Sequence, residues 1–426
     1  MDNKRIVIYG GGTVSYIRNH LALCAPAYGG TACRLAELAP EYLPNMDVDV
    51  RLTKMAGGKS LETNEDISKD IDELVQDDTT KIVIMSAALC DFNGKIGETP
   101  SGKYAARLKS RHLQDNIELV AADKVIRKVR EKRKDIFLVG FKTTTGATPD
   151  EQYLEALNLC KKASCNLVVA NDTVTRFNMI VTPEESRYAE GTNRDWTLRE
   201  LLKMAFNRTH LTFTRSTVVD GKPVPWESEQ VPPSLRKVVN YCIKQNAYKP
   251  FNGVTAGHFA CKINHTTFLT SIRKTDFNDL SQNGLVKIVT DGPDTVLAYG
   301  AKPSVGGQSQ RIVFHDHPDV DCIVHFHCPM KTTSKVPSVS QKEFECGSHE
   351  CGHNTSKGLT KFGNLYAVYL DNHGPNIVFN RSIDPDEVIR FIEENFDLSE
   401  KTGGFVSIRE RLETPDTLDD LVSYTS

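Results

Sequence analysis

The sequence predicts an α/β protein of two domains: a doubly wound parallel sheet first, then a mixed sheet with flanking helices. Three observations predict it. The chain has 426 residues, enough for two or three domains at roughly 100–200 residues each. Up to about residue 205, short unbroken apolar runs alternate with helical stretches, the pattern of parallel strands buried on both faces. Beyond it a Ser/Thr/Val/Pro-rich stretch leads into short strands of mixed character.

In order, residues 5–9 read as a buried strand running into Gly10-Gly11-Gly12-Thr13. Further strands fit 81–88, 135–141 and 165–170, with helices at 67–75, 123–134 and 150–163 between them. Ligands of such sheets bind beyond the carboxyl ends of strands, here residues 10–13, 87–92, 141–146 and 170–173. The glycine loop is either a phosphate cradle made of backbone amides or a plain tight turn. The basic run from Lys124 to Lys134 carries Val125, Ile126 and Val129 at helical spacing, so its charges form the solvated face of a surface helix. Residues 214–234, with Val231-Pro232-Pro233-Ser234 as the clearest breaker, mark the boundary. The domains are therefore placed at 1–210 and 232–400, with a linker at 211–231 and a polar tail at 401–426. In the second, strands fit 257–263, 267–271, 285–289, 295–299, 321–327, 364–370 and 377–379. Helices fit 235–245, 308–315 and 384–395, the last with Pro385 in its first turn.

Composition narrows the function. A net charge of −3 provides no basic excess for nucleic acid. No apolar run approaches the ~20 residues needed to span a membrane. The start lacks a secretory signal, and eleven scattered Cys fit reduced thiols in a cytoplasm. Seven of the twelve His lie between His315 and His373. Side chains alternate along a strand, so His325 and His327 share a face and can bind one metal together; a pair of surface or core histidines is the other reading. His373, at a neighbouring strand end, makes three ligands with an open position, the pattern of a catalytic zinc site. His315 and His317, at a helix end, read as capping or surface residues.

Several segments of the first half resemble the phosphopantothenoylcysteine synthetase family of DNA/pantothenate metabolism flavoproteins. They are Gly11-Gly12-Thr13, Ile17-Arg18-Asn19-His20, Ser86 to Phe92, Ala106 to Ser110, Val139 to Thr145, and Val169 to Asp172 followed by Asn178. They run in family order over about residues 4–190. The resemblance implies a Rossmann-like fold and activation of a carboxylate by CTP or ATP with Mg2+, for attack by an amine. It implies that Gly11, Gly12 and Asn19 face the nucleotide or acyl intermediate, and that Ala87, Asp91 and Asn171 lie at the nucleotide. Phe141 would flank the base, and Lys109 would neutralise phosphate charge. Residues 21–30 replace the family's Ser-Ser-Gly loop, Arg107 stands for a Lys and Thr144 for a Glu. Losing a cation and a carboxylate weakens triphosphate handling.

The second half resembles the class II aldolase/adducin family over about residues 232–395. Asp319 to His327 and Asn372-His373-Gly374 match its motifs well; Lys302-Pro303-Ser304, Gly257-His258 and Thr270-Ser271 match in part. The resemblance implies an α/β/α domain in which three His hold zinc, or another divalent ion, and polarise a carbonyl as an enediolate forms. It implies a substrate phosphate held by Gly257, Thr270, Ser271, Lys302 and Ser304, and a Glu for proton transfer at the metal. That Glu's place is taken by Gly306, and Gln308 nearby can only hydrogen-bond. The inserted segment 344–353 offers Glu345 or Glu350 as the base. Its Cys346, His349, Cys351 and His353 either bind a second metal or line the pocket.

Together these imply a two-domain enzyme: a zinc-dependent lyase or epimerase of a sugar-phosphate-like carbonyl compound, fused to a nucleotide-binding domain. The alternative is an NTP-dependent carboxylate–amine ligase whose second domain binds substrate or is a non-catalytic, adducin-like module. A phosphorylated small molecule, a nucleotide and a second copy of the chain are the expected partners.

Overall fold

The computed structural model describes residues 4–109, 116–304 and 307–402, with backbone alone for 307–309. The chain divides into two compact units. The first runs to Pro183 and resumes over Arg187–Thr209; the second takes Glu184–Ser186 and the chain from His210 onward.

The first unit is built on β1 (Lys4–Gly10), α1 (Gly30–Tyr42), β2 (Met46–Leu52), α2 (Asn64–Leu74), β3 (Thr80–Met85), β4 (Phe137–Thr144), α3 (Pro149–Ala163), β5 (Leu167–Asp172), β6 (Asn178–Val181), β7 (Arg187–Gly191) and α4 (Arg194–Thr209). The sheet order is β7-β6-β5-β4-β3-β1-β2. The pairs from β2 to β5 are parallel and the last two antiparallel. Val and Ile fill the central strands because both faces are covered, and Ile6, Val7, Ile8, Val83 and Ile84 are fully buried. Capping boxes start two helices, Thr63 with Asp66 at α2 and Thr148 with Glu151 at α3. The chain leaves β1 toward β2 on one side and returns at β3 on the other. The β1 and β3 carboxyl ends therefore form the switch point where such sheets take ligands, and a bridge between Gly12 and Ala88 ties the two loops there.

Two expectations change. The helix placed at 123–134 shrinks to Arg127–Lys132, although Val125, Ile126 and Val129 are buried as the spacing required. Strand β2 escapes an apolar-run search because Asp47, Asp49 and Arg51 interrupt it; as an edge strand it keeps polar side chains in reach of water.

The second unit holds β8 (Arg215–Val219), α5 (Pro233–Lys244), β9 (His258–Lys262), β10 (Thr267–Ser271), β11 (Leu285–Thr290), β12 (Thr295–Tyr299), α6 (Gly307–Asp316), β13 (Cys322–His325), β14 (Ser338–Val339), α7 (His349–Gly358), β15 (Leu365–Leu370), β16 (Gly374–Phe379) and α8 (Pro385–Asn395). The sheet order is β8-β12-β11-β10-β9-β13-β16-β15-β14, with Thr360–Phe362 added beside β15. Its central pairs are antiparallel. Phe259, Cys322 and Val324 face a core with Leu235 and Val238 of α5 and Val388 and Ile392 of α8. Ala260 and Ile323, one residue out of phase, face Val313 and Phe314 of α6. That alternation makes the domain three-layered.

The linker placed at 211–231 is not one. Arg215–Val219 pairs parallel with β12, and Trp226 and Val231 belong to the core. Ser216, Thr217, Val218 and Val219 suit a strand as well as a linker, and composition alone cannot separate the two. The tail also begins later than 401, because Lys401 and Thr402 are buried; residues 403–426 lie outside the described residues.

Candidate metal centre and ligand-binding loops

His325 ends β13, and His327 lies two residues on with Phe326 turned into the apolar core between them. His373 sits in the tight turn from β15 to β16. That turn needs Asn372 at φ 55 and Gly374 at φ 150. A Cβ on Gly374 would lie 2.1 Å from the Phe326 carbonyl oxygen, so the glycine lets this turn close against the His325–His327 segment. A Gly374→Ala protein is expected to lose at least about 1–3 kcal/mol through backbone strain alone, read as a lowered midpoint in urea.

The three imidazoles are buried, and their ligand atoms all lie within 4.8 Å of one another. This is the only such grouping among the described residues. His325 Nδ1 bonds the Pro375 carbonyl at 2.7 Å, so it carries the ring proton and leaves Nε2 as a lone pair. That Nε2 lies 3.3 Å from His373 Nε2. Burial pushes the His325 pKa well below its ordinary value, and the neighbouring imidazoles push the same way. The ring is therefore neutral, the state a metal ligand requires.

His258 pairs with His325 across the strands and stacks on it at 4.7 Å between ring centres. Burial lowers its pKa to about 3. Gln310 Nε2 contacts its Nδ1, and the Thr270 hydroxyl donates to Gln310 Oε1 at 2.8 Å. Thr270, expected at a phosphate, is thus bound into this internal network. Gly257, at φ 108, is required by packing: its Cβ would lie 2.5 Å from the His325 carbonyl oxygen. Ser271 keeps a buried hydroxyl with no hydrogen-bond partner among the described residues, and its carbonyl accepts the Ser304 amide at 2.9 Å. Lys302 is exposed beside them in sequence.

Neither carboxylate offered as the replacement base groups with the three histidines. Glu350 accepts the Thr212 amide and hydroxyl at 3.0 and 2.9 Å. The Cys351 thiol and burial push the Cys346 pKa up, and the neighbouring Glu345 carboxylate adds to the rise. The Gln308 side chain and Gly306 lie outside the described residues. Among the described residues, Cys346, His349, Cys351 and His353 do not group as metal ligands either. Residues 349–358 make a helix capped by Ser348, which carries His349 to the Thr214 hydroxyl at 2.7 Å and His353 to within 3.8 Å of Asp316, while Cys351 turns inward. Cys346 and Cys351 interact with each other. His317 bonds the Ser356 carbonyl and His315 is exposed beside Asp316, as expected of residues outside the site.

In the first unit, Gly11, Gly12 and Ala87 stand at the switch point, but two amides of the proposed cradle point inward. Gly12 donates to the Ala27 carbonyl at 2.8 Å and Thr13 to the Ala88 carbonyl at 3.0 Å. A Cβ on Gly12 would lie 1.9 Å from the Ala25 carbonyl oxygen, so this glycine serves close packing of residues 21–30. Asn19 donates to the Lys103 carbonyl, Asp91 pairs with Lys124, and Lys109 is exposed. Phe141 is half-buried against the sheet's core, and Asn171 accepts from the Thr143 hydroxyl.

The buried anchor of this motif is Asp172. Its carboxylate accepts the amides of Gly146, Ala147, Val174 and Thr175 and the Thr144 hydroxyl, at 2.8–3.1 Å. Burial opposes its charge, but those donors outweigh it and hold the carboxyl well below the usual range. A depressed carboxyl stabilises the fold above its unfolded value near 4 and loses that contribution as the pH falls through the folded value. Asp172→Ala is therefore expected to cost about 3 kcal/mol at pH 7, with a gap from wild type that narrows in acid, measured by urea unfolding at each pH.

Comparison with known proteins agrees with both resemblances, in the same order along the chain. Residues 2–198 match the DNA/pantothenate metabolism flavoprotein C-terminal domain. Residues 236–384 match the class II aldolase and adducin N-terminal domain. The coenzyme A biosynthesis bifunctional protein CoaBC of Thermococcus kodakarensis is 27% identical over 177 residues, which are 40% of this chain and 42% of that protein. The chain thus spans less than half the length of that relative. Among solved structures, the DNA/pantothenate metabolism flavoprotein from Streptococcus pneumoniae has 19% identity and a TM-score of 0.40, covering 47% of this chain and 96% of its own. L-fuculose-1-phosphate aldolase from Thermus thermophilus has 17% identity and a TM-score of 0.29, covering 47% and 98%. The chain thus joins a segment similar to the first family to a segment similar to the second.

Proposed function

We propose that the second unit is a divalent-metal-dependent lyase or epimerase of a phosphorylated hydroxy-carbonyl compound, with His325, His327 and His373 holding the ion. The observation that carries this reading is the meeting of three buried imidazoles from two separate chain segments. The donor set suits zinc. Two nitrogens at ~2.0–2.1 Å from one ion at the tetrahedral angle are ~3.3–3.4 Å apart, and His325 Nε2 and His373 Nε2 are 3.3 Å apart. When bound, such an ion polarises a substrate carbonyl and stabilises an enediolate. The chain's own residues prepare the rest. The Pro375 carbonyl fixes the His325 ring, and the Ser271 hydroxyl, the Ser304 segment and Lys302 supply donors and charge for a phosphate. The test is release of an aldehyde from a panel of ketose 1-phosphates by the zinc-loaded full chain. Turnover that falls at least about 100-fold in His327→Ala supports the reading, because a ligand should cost more than the 10–100-fold of an outer-shell partner. No turnover on any member, or no change in the variant, contradicts it.

For the first unit, we propose binding of CTP or ATP with Mg2+ at the β1/β3 switch point and activation of a carboxylate there. The match over residues 2–198 supports this. Pyrophosphate release that requires both a nucleoside triphosphate and a carboxylate such as phosphopantothenate is the expected result. Its absence with every triphosphate would leave nucleotide-independent binding as the role of this unit.

A further inference from the structure

The metal centre lacks a carboxylate at the sequence position where the aldolase-like half should carry one, but it does not lack a carboxylate. Glu184, Glu185 and Ser186 lie in the chain between β6 and β7, and they pack with the second unit. All three are at least 97% buried. Each meets a segment of the second unit. The Cys346 amide donates to Glu184 Oε1 at 2.7 Å. The Ser186 hydroxyl donates to the carbonyl of Asn372, the residue before His373, at 2.5 Å. Between them, Glu185 Oε2 lies 3.5 Å from His327 Nδ1, and the same oxygen pairs with Lys401 Nζ. Lys401 is 2% exposed, and the next residue's amide donates to the His327 carbonyl at 3.1 Å. Glu185 holds φ 67, a left-handed conformation that a residue with a Cβ keeps only where its surroundings enforce it.

We propose that Glu185 is the positioning carboxylate of the metal centre: with Lys401 as its counter-ion, it holds His327 with the proton on Nδ1 and presents the Nε2 lone pair to a divalent cation. The inference rests on the metal reading above. A neutral imidazole carries one ring proton, and a carboxylate against Nδ1 keeps it there, fixes the ring and makes Nε2 a better donor. His325 receives the same treatment from the Pro375 carbonyl. Two of the three ligands are thereby oriented, one by a neutral acceptor and one by a charged one. Lys401 makes a buried carboxylate tolerable here, since an isolated buried charge would take up a proton instead. The carboxylate beside His327 is thus delivered by a turn far from the aldolase motifs in the sequence.

The experiment measures zinc affinity of the full chain by competition with a chromophoric chelator, for wild type, Glu185→Gln, and Glu185→Gln with Lys401→Met. The double variant removes both halves of the buried pair and keeps the measurement readable if the single variant does not fold. Both are expected to bind one zinc 10–100-fold more weakly than wild type. In the zinc-loaded protein, the 15N signals of the His327 ring should move, while those of His325, held by Pro375, stay. Rescue of both readings by Glu185→Asp adds support. Wild-type affinity together with an unmoved His327 signal in the double variant overturns the inference and leaves the three-histidine centre standing. Failure of wild type to bind zinc at all overturns both.

Discussion

Replacement of His325 by Ala is expected to remove zinc binding from the protein while leaving most of the fold. The imidazole is the hub of the centre: it touches His373 through Nε2, stacks on His258 and is fixed by Pro375 through Nδ1. Loss of a ligand leaves two nitrogen donors, so affinity should fall by more than about 100-fold, beyond the range of outer-shell changes. The structural cost is smaller. The variant leaves the Pro375 carbonyl without its buried donor, worth about 1–3 kcal/mol, against a typical stability of ~5–15 kcal/mol. Circular dichroism should therefore report a folded, modestly weakened protein that takes up no zinc in a competition titration. A His325→Ala protein that still binds zinc with wild-type affinity would place the ion elsewhere.

The second large effect is on stability. Lys401 and Glu185 pair where both side chains are at least 97% buried. Removing one partner strands the other charge, which typically costs 3–5 kcal/mol, while replacing both with groups of similar volume is often neutral. Lys401→Met is thus expected to lower the urea midpoint sharply, and the added Glu185→Gln to restore most of it. A double-mutant cycle reads this as a coupling of about 2 kcal/mol or more. Strictly additive losses would show that the two residues act apart. An ordinary surface pair of this chain, such as Lys69 with Glu65, should show no resolvable coupling in the same cycle.

Much of this architecture is legible in the sequence. The parallel strands β1, β3, β4 and β5 announce themselves because both faces are buried and their central positions are apolar. The His325–His327 pair is legible because a strand's alternation is local, and Phe326 in the core between them is that alternation at work. His373 aside, which the sequence already sets beside that pair, what is not legible is whatever depends on two distant segments meeting. Thr270 looks like a phosphate ligand until Gln310 and His258 are found across from it. Cys346, His349, Cys351 and His353 have ligand-like spacing until the helix starting at His349 sends its two imidazoles to Thr214 and Asp316. Pro183-Glu184-Glu185-Ser186 reads as an ordinary polar turn, and nothing local says that Glu185 will be buried against His327. The one hint in the chain is negative: the missing carboxylate at Gly306 requires compensation without saying from where.

The central claim is that His325, His327 and His373 form one divalent-metal site. Elemental analysis of the full chain, loaded with zinc and dialysed against buffer, tests it most directly beside a His325→Ala/His327→Ala protein treated identically. The account predicts one zinc per chain in the wild type and none in the variant. A wild type without stoichiometric metal, or a variant that retains it unchanged, would contradict it.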